Sequence, residues 1–317
     1  MRVGMSERGL GTLCRLFGYT RQAYYQQRVR VERSAVRSEL VLREVANIRE
    51  QQKRIGVRKL WQVLGRYCTE HAIEIGRDAL FDLLRENSLL VRRRRCRKPR
   101  TTLSYRWMRR YPNLIKDFTP TAANQLWVSD ITYIRIMEGF GYLSLVTDAY
   151  SRKIVGYHLN GDLSAKGCVS ALKMAIKNNP DREGLIHHSD RGLQYYSTAY
   201  VELLGPETQI SMTENGDPRE NAIAERVNGI LKDELLEQKF GRLSEARAAI
   251  GKAVSIYNHV RLHMSIDMLT PAIAHKQRGQ LKRHWKNYYR SSPLDPGEAM
   301  ASAIASPKHK TVNTVQD

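Results

Sequence analysis

The chain has 317 residues, of which 42% are hydrophobic and 26% charged, and its formal net charge is +20. This length suits one sizeable core with one or two small domains, and the composition is globular. No run of about 18 apolar residues and no apolar leader occurs, which argues against a membrane protein and predicts a soluble, cytoplasmic one. The four cysteines lie far apart without a C-x-x-C pair, which argues against a disulfide framework and a zinc knuckle.

The positive charge is concentrated at the two ends of the chain. Residues 1–119 hold 28 Lys+Arg against 11 Asp+Glu, and residues 276–317 hold 8 against 3. Residues 120–275 are nearly neutral, with 16 against 18. Basic flanks around a neutral middle indicate a domain that works on a bound polyanion, DNA or RNA first of all. An anionic membrane surface is the weaker interpretation, because the basic part lacks an amphipathic anchor.

Residues 1–34 have the pattern of two short helices around a glycine turn. Leu10, Leu13, Leu16 and Phe17 give the first helix an apolar side, and Gly18-Tyr19-Thr20 forms the turn. Thr20 is a suitable N-cap for the second helix. The pattern is typical of a helix-turn-helix, although a helical hairpin that packs on a partner fits equally well.

Residues 35–91 predict three further helices, the second beginning after Gly56 and the third after Gly76. Basic residues such as Arg58 and Lys59 lie at the turns, so this unit could place a helix in a DNA major groove. The alternative is a small bundle whose charges are only solvated.

Residues 92–119 predict a basic linker without apolar periodicity. Positive side chains mixed with aromatic ones suit the tracking of a phosphate backbone. A localisation signal or a solubilising spacer is the alternative. The candidate DNA contacts in this run are Arg92, Arg93, Arg94, Arg95, Arg97 and Lys98.

Residues 120–275 predict a mixed sheet with helices on its faces. Three consecutive strands are followed by alternating helices and strands, the order βββαβαβα of the ribonuclease-H-like topology. A long helix is expected at 220–237 and a final one at 243–258. The remaining segment, 276–317, is basic and is expected to be disordered. The predicted strands are 125–136, 141–149, 152–159, 184–188 and 208–212.

Three acidic residues are candidates for a metal site in this domain. Asp130 interrupts a strand, Asp190 follows a strand, and Glu225 lies in a helix. Three carboxylates held close together resist ionisation unless a cation lies between them. Oxygen ligands select a hard ion, so Mg²⁺ or Mn²⁺ is expected. Two such ions suit in-line phosphoryl transfer.

Four motifs in this order resemble the bacterial transposases of the insertion-sequence-three family, which have a retroviral-integrase-like catalytic core. The resemblance covers residues 9–275. The motifs are Trp127-x-x-Asp130-Ile131-Thr132-Tyr133, His188-Ser189-Asp190-Arg191-Gly192-x-Gln194-Tyr195, Gly216-x-Pro218-x-Glu220-Asn221-Ala222-x-x-Glu225-Arg226, and Tyr257-Asn258-x-x-Arg261-x-His263 with Thr270-Pro271.

This resemblance implies that Asp130, Asp190 and Glu225 form a triad that binds two magnesium ions and catalyses cleavage and joining of DNA strands. Glu225, Asn228 and Lys232 share a helix face, and the family's counterpart of Lys232 contacts the DNA end. It further implies a homo-oligomer on DNA near the bacterial nucleoid. The partner it implies is an upstream-frame protein with a helix-turn-helix and a leucine zipper, bound or fused.

Several roles and two other functions stay open from the sequence. His188, Asn221 and Asn228 are candidate DNA contacts at the site, although His188 could equally face away from it and Asn221 could instead cap the helix. Asp148 is expected to form a turn, with metal binding as its alternative. Arg261 and His263 either bind DNA or brace the core. A nuclease that only hydrolyses shares the fold, and a catalytically silent DNA-binding regulator shares the basic flanks.

Overall fold

Four helices precede the sheet in the computed structural model, which describes residues 10–92, 111–214 and 218–284. The helices pack through aliphatic side chains, among them Leu60, Leu64, Leu80 and Leu84, all fully buried. The three helices expected in the region 35–91 are therefore confirmed. The four helices are α1 (Leu10–Leu16), α2 (Arg21–Gln51), α3 (Val57–Glu70) and α4 (Arg77–Glu86).

Helix α2 begins where the sequence predicted, because the Thr20 side chain accepts a hydrogen bond from the Ala23 amide at 3.0 Å. The helix then runs for 31 residues and crosses the expected division between residues 34 and 35 without interruption. Only its second half is buried, through Val41 and Val45. The first two predicted segments therefore share one helix, whose packed part belongs to the three-helix unit.

The five predicted strands form one mixed sheet in the order β3-β2-β1-β4-β5. The first three strands form an antiparallel meander, and β4 and β5 continue the sheet in parallel with β1. The fold class expected from the sequence is confirmed. The strands are β1 (Leu126–Ile136), β2 (Gly139–Asp148), β3 (Ile154–Asn160), β4 (Ile186–Ser189) and β5 (Gln209–Met212).

Helices cover both faces of the sheet. Helix α5 (Ala165–Asn178) approaches β3 so closely that a Cβ at Gly156 would lie 2.1 Å from the carbonyl oxygen of Ala171. Helix α6 (Thr198–Leu204) packs beside α5 on the same core cluster, which includes Trp127. The opposite cluster joins β1 to β3 with the last helices of the chain.

The long helix predicted at 220–237 is interrupted. A 3₁₀ turn at Pro218–Asn221 leads into α7 (Ala222–Ile230), and a π-helical turn follows at Leu231–Leu235. The Leu236 amide donates to the Leu231 carbonyl at 2.8 Å, five residues back. The π turn inserts an extra residue, which re-aims the side chains after Ile230. Helices α8 (Leu243–His259) and α9 (Pro271–Ala274) complete the described chain.

None of the helices within the described ranges is long and apolar enough to span a membrane. Most of the predicted basic linker, from residue 93 to 110, lies outside the described residues, and so does the predicted tail from residue 285 onward.

His187 in β4 predicts a pH-dependent stability of the core. Its ring is buried between Ser129 and Tyr200, with its Nε2 2.9 Å from the hydroxyl of each. Burial, with a smaller effect of His188, lowers the pKa of His187 to about 3. The unfolded chain therefore takes up a proton that the folded chain does not as the pH falls below about 6.5, so stability falls with it.

We expect the stability deficit of a His187→Gln variant, relative to the wild type, to be about 2 kcal/mol smaller at pH 5 than at pH 8. Urea unfolding at the two pH values measures this difference. A deficit that stays constant between pH 5 and pH 8 would show that folding does not lower the pKa of His187.

Candidate active site

The register of the sheet brings Asp130 and Asp190 side by side. Strands β1 and β4 are parallel, and Ser129 pairs with Ser189. The next residue on each strand is one of the two aspartates, and neighbouring strands lie about 4.8 Å apart. Two carboxylates that are 60 residues apart in sequence therefore meet at one end of the sheet.

The Asp130 carboxylate is held in place by two hydrogen bonds. Its Oδ1 accepts from the Ile131 amide at 2.9 Å, and its Oδ2 accepts from Asn228 Nδ2 at 2.6 Å. Burial, followed by the negative charge of Asp190, raises the pKa of Asp130 to about 7. The two hydrogen bonds act in the opposite direction but do not offset burial. Asp130 is thus a carboxylate that resists ionisation, and it lies next to a second carboxylate, Asp190.

Asp190 is fixed by the turn that follows β4. Its Oδ1 accepts a hydrogen bond from the Gly192 amide at 3.0 Å, and burial raises its pKa. A Cβ at position 192 would lie 3.1 Å from the same oxygen, so glycine leaves room for the carboxylate. The Asp-x-Gly spacing thereby fixes the Asp190 carboxylate in the turn after β4.

Glu225 lies one helical turn before Asn228 on α7, so the two share a face. Its side chain is exposed, and its charge adds a small contribution to the raised pKa of Asp130. Over the described ranges, no three His, Cys, Asp or Glu side chains lie close enough together to form a metal site. The structure thus pairs the two aspartates and leaves Glu225 on the adjoining helix face, within electrostatic range.

Lys232 lies in the π turn that follows α7. Its Nζ donates to Thr132 Oγ1 at 3.2 Å, and Thr132 is two residues after Asp130 on β1. Because alternate residues of a strand point to one face, the lysine and the aspartate lie on the same side of the sheet. The Lys232 ammonium group therefore lies on the face of the sheet that carries Asp130.

The donor set around Asp130 fits a hard divalent cation. Two neighbouring carboxylates repel each other until a positive charge lies between them. The amide oxygen of Asn228 is also buried without a hydrogen-bond partner among the described residues, while its nitrogen holds Asp130. Carboxylate and amide oxygens are the ligands that Mg²⁺ and Mn²⁺ prefer.

Comparison with known proteins identifies the family. Two integrase core domain families match residues 120–218 and 207–271. The 31 kDa protein of insertion element IS600 from Shigella sonnei is 36% identical over 85% of this chain and 99% of that protein. The chain belongs to the insertion-sequence transposases with an integrase core domain. This assignment agrees with the resemblance to the insertion-sequence-three family. It also means that the transposase is an enzyme that cuts and joins DNA.

A second relative agrees with this assignment. The putative transposase of IS986/IS6110 from Mycobacterium tuberculosis is 33% identical over 66% of this transposase and 76% of its own length. Among solved structures, the HTLV-2 integrase catalytic core domain in complex with magnesium is 20% identical. It covers 49% of this chain and 97% of that domain, with a TM-score of 0.38.

Two candidate DNA contacts of the transposase, His188 and Asn221, have buried side chains. His188 is fully buried, and its Nδ1 lies 2.9 Å from Ser211 Oγ of β5. Burial lowers its pKa to about 4, so the ring is neutral. Asn221 is buried as well, and its Nδ2 donates to the Ser129 carbonyl at 3.0 Å. Asn221 thus ties α7 to the strand that carries Asp130.

Asn228 was also expected to contact DNA, but it is buried and its amide is bonded to Asp130. It is therefore a positioning residue for the carboxylate. Arg58 and Arg92 are exposed, as a DNA contact requires. Lys59 is largely buried, and its Nζ lies 3.5 Å from Glu234 Oε2 of the π turn. The remaining predicted contacts lie outside the described residues: Arg93, Arg94, Arg95, Arg97 and Lys98.

The structure also decides the roles that the sequence left open. Asp148 is fully buried and accepts hydrogen bonds from the Asn124 amide and from Ser151, so it forms the turn after β2. Arg261 is buried against Glu234, with two nitrogen–oxygen distances of 2.8 Å. His263 lies 3.0 Å from the same guanidinium. Arg261 and His263 therefore brace the core.

Proposed function

We propose that the chain catalyses metal-dependent cleavage and strand transfer of DNA through Asp130, Asp190 and Glu225. The observation that supports this most directly is the parallel pairing of β1 with β4, which sets Asp130 beside Asp190. Each acid lies on a different element of a ribonuclease-H-like core. Glu225 completes the set from α7, one turn before the residue that holds Asp130.

Each residue has a distinct part in this proposal. Asp130, Asp190 and Glu225 would hold two Mg²⁺ or Mn²⁺ ions, with the Asn228 oxygen nearby. When bound, the ions would neutralise charge on the phosphoryl group and activate the attacking oxygen. Asn228 orients the Asp130 carboxylate, and Lys232 binds a DNA phosphate beside the acids. Water is the attacking group in cleavage, and a DNA 3′-hydroxyl is the attacking group in joining.

We also propose that the chain works as a homo-oligomer on DNA, because two element ends have to be joined to one target. An upstream-frame protein with a helix-turn-helix and a leucine zipper, bound or fused, stays the expected partner. Size-exclusion chromatography with light scattering, with and without DNA, measures the oligomeric state of the chain.

The test of the function uses a labelled duplex with the inverted repeat that flanks the reading frame, incubated with the full chain and MgCl₂. Joined products support the transposase proposal. Cut products without joined ones would identify a nuclease, and retarded but intact DNA would identify a DNA-binding regulator.

The cofactor proposal predicts a thermal shift that needs no DNA. We expect MgCl₂ or MnCl₂ well above its Kd to raise the Tm of the wild type by about 3–8 °C, because the ion binds the folded state alone. An Asp130→Asn variant should shift by less than about 1 °C. Differential scanning calorimetry at pH 8 and matched ionic strength measures both shifts.

Asp181→Asn, which removes an exposed carboxylate of the core, is the matched control and should keep the wild-type shift. Equal shifts in the wild type and in Asp130→Asn would place the ion elsewhere.

A further inference from the structure

A cleft of about 890 Å³ lies between the three-helix unit and the core. Helices α3 and α4 and residues 90–92 form one wall, and α7 with the π turn forms the other. The cleft begins at Arg92, where the chain enters the arginine-rich linker. Its cationic side chains come from both walls: Arg54, Arg58, Lys59, Arg77, Arg92 and Arg226.

The cleft has more positive than negative side chains. Its acidic residues are Asp78, Asp233 and Glu234. Asp78 is paired with Arg77 at 2.8 Å, and Glu234 is paired with the buried Arg261 and with Lys59. Within the described part of the chain, neither Arg58 nor Arg226 forms an ion pair with a carboxylate, although the charge of Arg226 acts on Glu234. An excess of positive over negative charge is suited to a bound polyanion.

The wall formed by α7 connects the cleft with the acids. Arg226 of α7 and Asp233 of the π turn both line the cleft, so this wall continues from the helix into the turn. Glu225 precedes Arg226 and is turned about 100° from it, on the face that carries Asn228. A chain of phosphates bound by Arg226 would therefore lie next to the helix face that carries Glu225.

The wall formed by the three-helix unit has the side chains of a surface that binds nucleic acid. Guanidinium groups match phosphate oxygens with two parallel hydrogen bonds. Phe81 lines the same wall and is 37% exposed, and Leu90 and Val91 add apolar surface for sugars and bases. The combination suits a nucleic-acid strand better than an acidic peptide, which would leave the aromatic surface unused.

We propose that this cleft binds the sugar–phosphate backbone of the DNA substrate between the part held by the three-helix unit and the scissile phosphate. The proposal rests on the proposed function and adds a path for the strand. The core contributes Arg226 to this path, and the three-helix unit contributes Arg58.

The test compares two double variants of the full chain. Arg58→Ala/Arg226→Ala removes one exposed cation from each wall. The matched control is Arg66→Ala/Lys173→Ala, which removes two exposed cations outside the cleft, one of them on α3 itself. Circular dichroism verifies that both variants are folded. Fluorescence anisotropy then measures Kd for a labelled 30-bp random-sequence duplex, in EDTA, from 50 to 300 mM NaCl.

Each phosphate contact contributes about 0.9 to the slope of log Kd against log salt concentration. We expect the cleft variant to lower this slope by about 2 and to weaken binding about 10-fold or more at 100 mM NaCl, and the control variant to keep the wild-type slope. Equal slopes for wild type and cleft variant would overturn the proposal. The proposal would also be overturned if the cleft variant bound DNA as the wild type does and lost binding only to polyglutamate, since the occupant would then be an acidic protein.

This measurement does not depend on chemistry. If the cleft variant shows the expected slope change but the wild type never cuts DNA, the cleft proposal is kept and the catalytic proposal is rejected. If the wild type cuts DNA normally but the cleft variant keeps the wild-type slope, the cleft proposal is rejected and the catalytic proposal is kept.

Discussion

An Asp190→Asn variant should lose cleavage and joining by about 10³-fold or more while it binds DNA with nearly the wild-type Kd. Asparagine has the same shape and keeps an oxygen that can accept from the Gly192 amide. It removes one of the two negative charges at the end of the sheet. Loss of several kcal/mol of charge stabilisation at phosphorus corresponds to a rate decrease of that size.

The measurement uses the labelled inverted-repeat duplex, with product formation on a gel and Kd from mobility shift. Asp181→Asn makes the same chemical change at an exposed position of the core and should cut and join at the wild-type rate. Cleavage retained in Asp190→Asn would mean that the chemistry takes place at another site. Equal loss of binding and cleavage would mean that Asp190 supports the DNA-binding surface instead.

The sequence was sufficient to name the two aspartates but not to give the strand register that pairs them. The period-two pattern identified β1, and the order of elements identified the fold. Which residues meet across a parallel pair depends on the register, and the register is set by contacts distant in sequence. The sequence could therefore name Asp130 and Asp190, while their positions opposite each other come from the pairing of Ser129 with Ser189.

His188 shows why the remaining site residues were harder to assign. Strand β4 is buried on both faces, so a polar residue in it does not have to point at the site or at solvent. His188 instead bonds to Ser211 on the neighbouring strand. The π turn after α7 was missed for a related reason, since a helical pattern of apolar residues does not show one inserted residue.

The contact between the three-helix unit and the core involves residues far apart in the chain. Lys59 has the sequence context of a DNA-binding lysine, at the start of a helix in a basic unit. Its partner Glu234 is 175 residues away. Burial, followed by the charge of Arg261, lowers the pKa of Lys59 to about 8. The π turn directs Glu234 toward both cations, and neither pairing can be seen in a local pattern.

Arg261→Ala should lower the free energy of unfolding by about 3 kcal/mol. The side chain is 3% exposed and binds both oxygens of Glu234 at 2.8 Å. Burial opposes ionisation of Glu234, but the hydrogen bonds and charge of Arg261 outweigh it and lower its pKa. Removing the guanidinium leaves a largely buried carboxylate with only the more distant Lys59. Breaking a buried pair from one side costs several kcal/mol for this reason.

Urea unfolding measures this loss, and a double-mutant cycle identifies its cause. Glu234→Gln removes the charge that Arg261→Ala leaves without its main partner, so the double variant should lose less stability than the sum of the two single variants. Additive losses would mean that Arg261 acts by packing, for example on Tyr257, whose ring centre is 6.0 Å from the guanidinium carbon. Arg261→Lys should recover only part of the loss, because an ammonium group does not bind both carboxylate oxygens in one plane. Since Glu234 lies in the π turn that follows the helix carrying Glu225, a coupled loss would also show that Arg261 holds this helix in place.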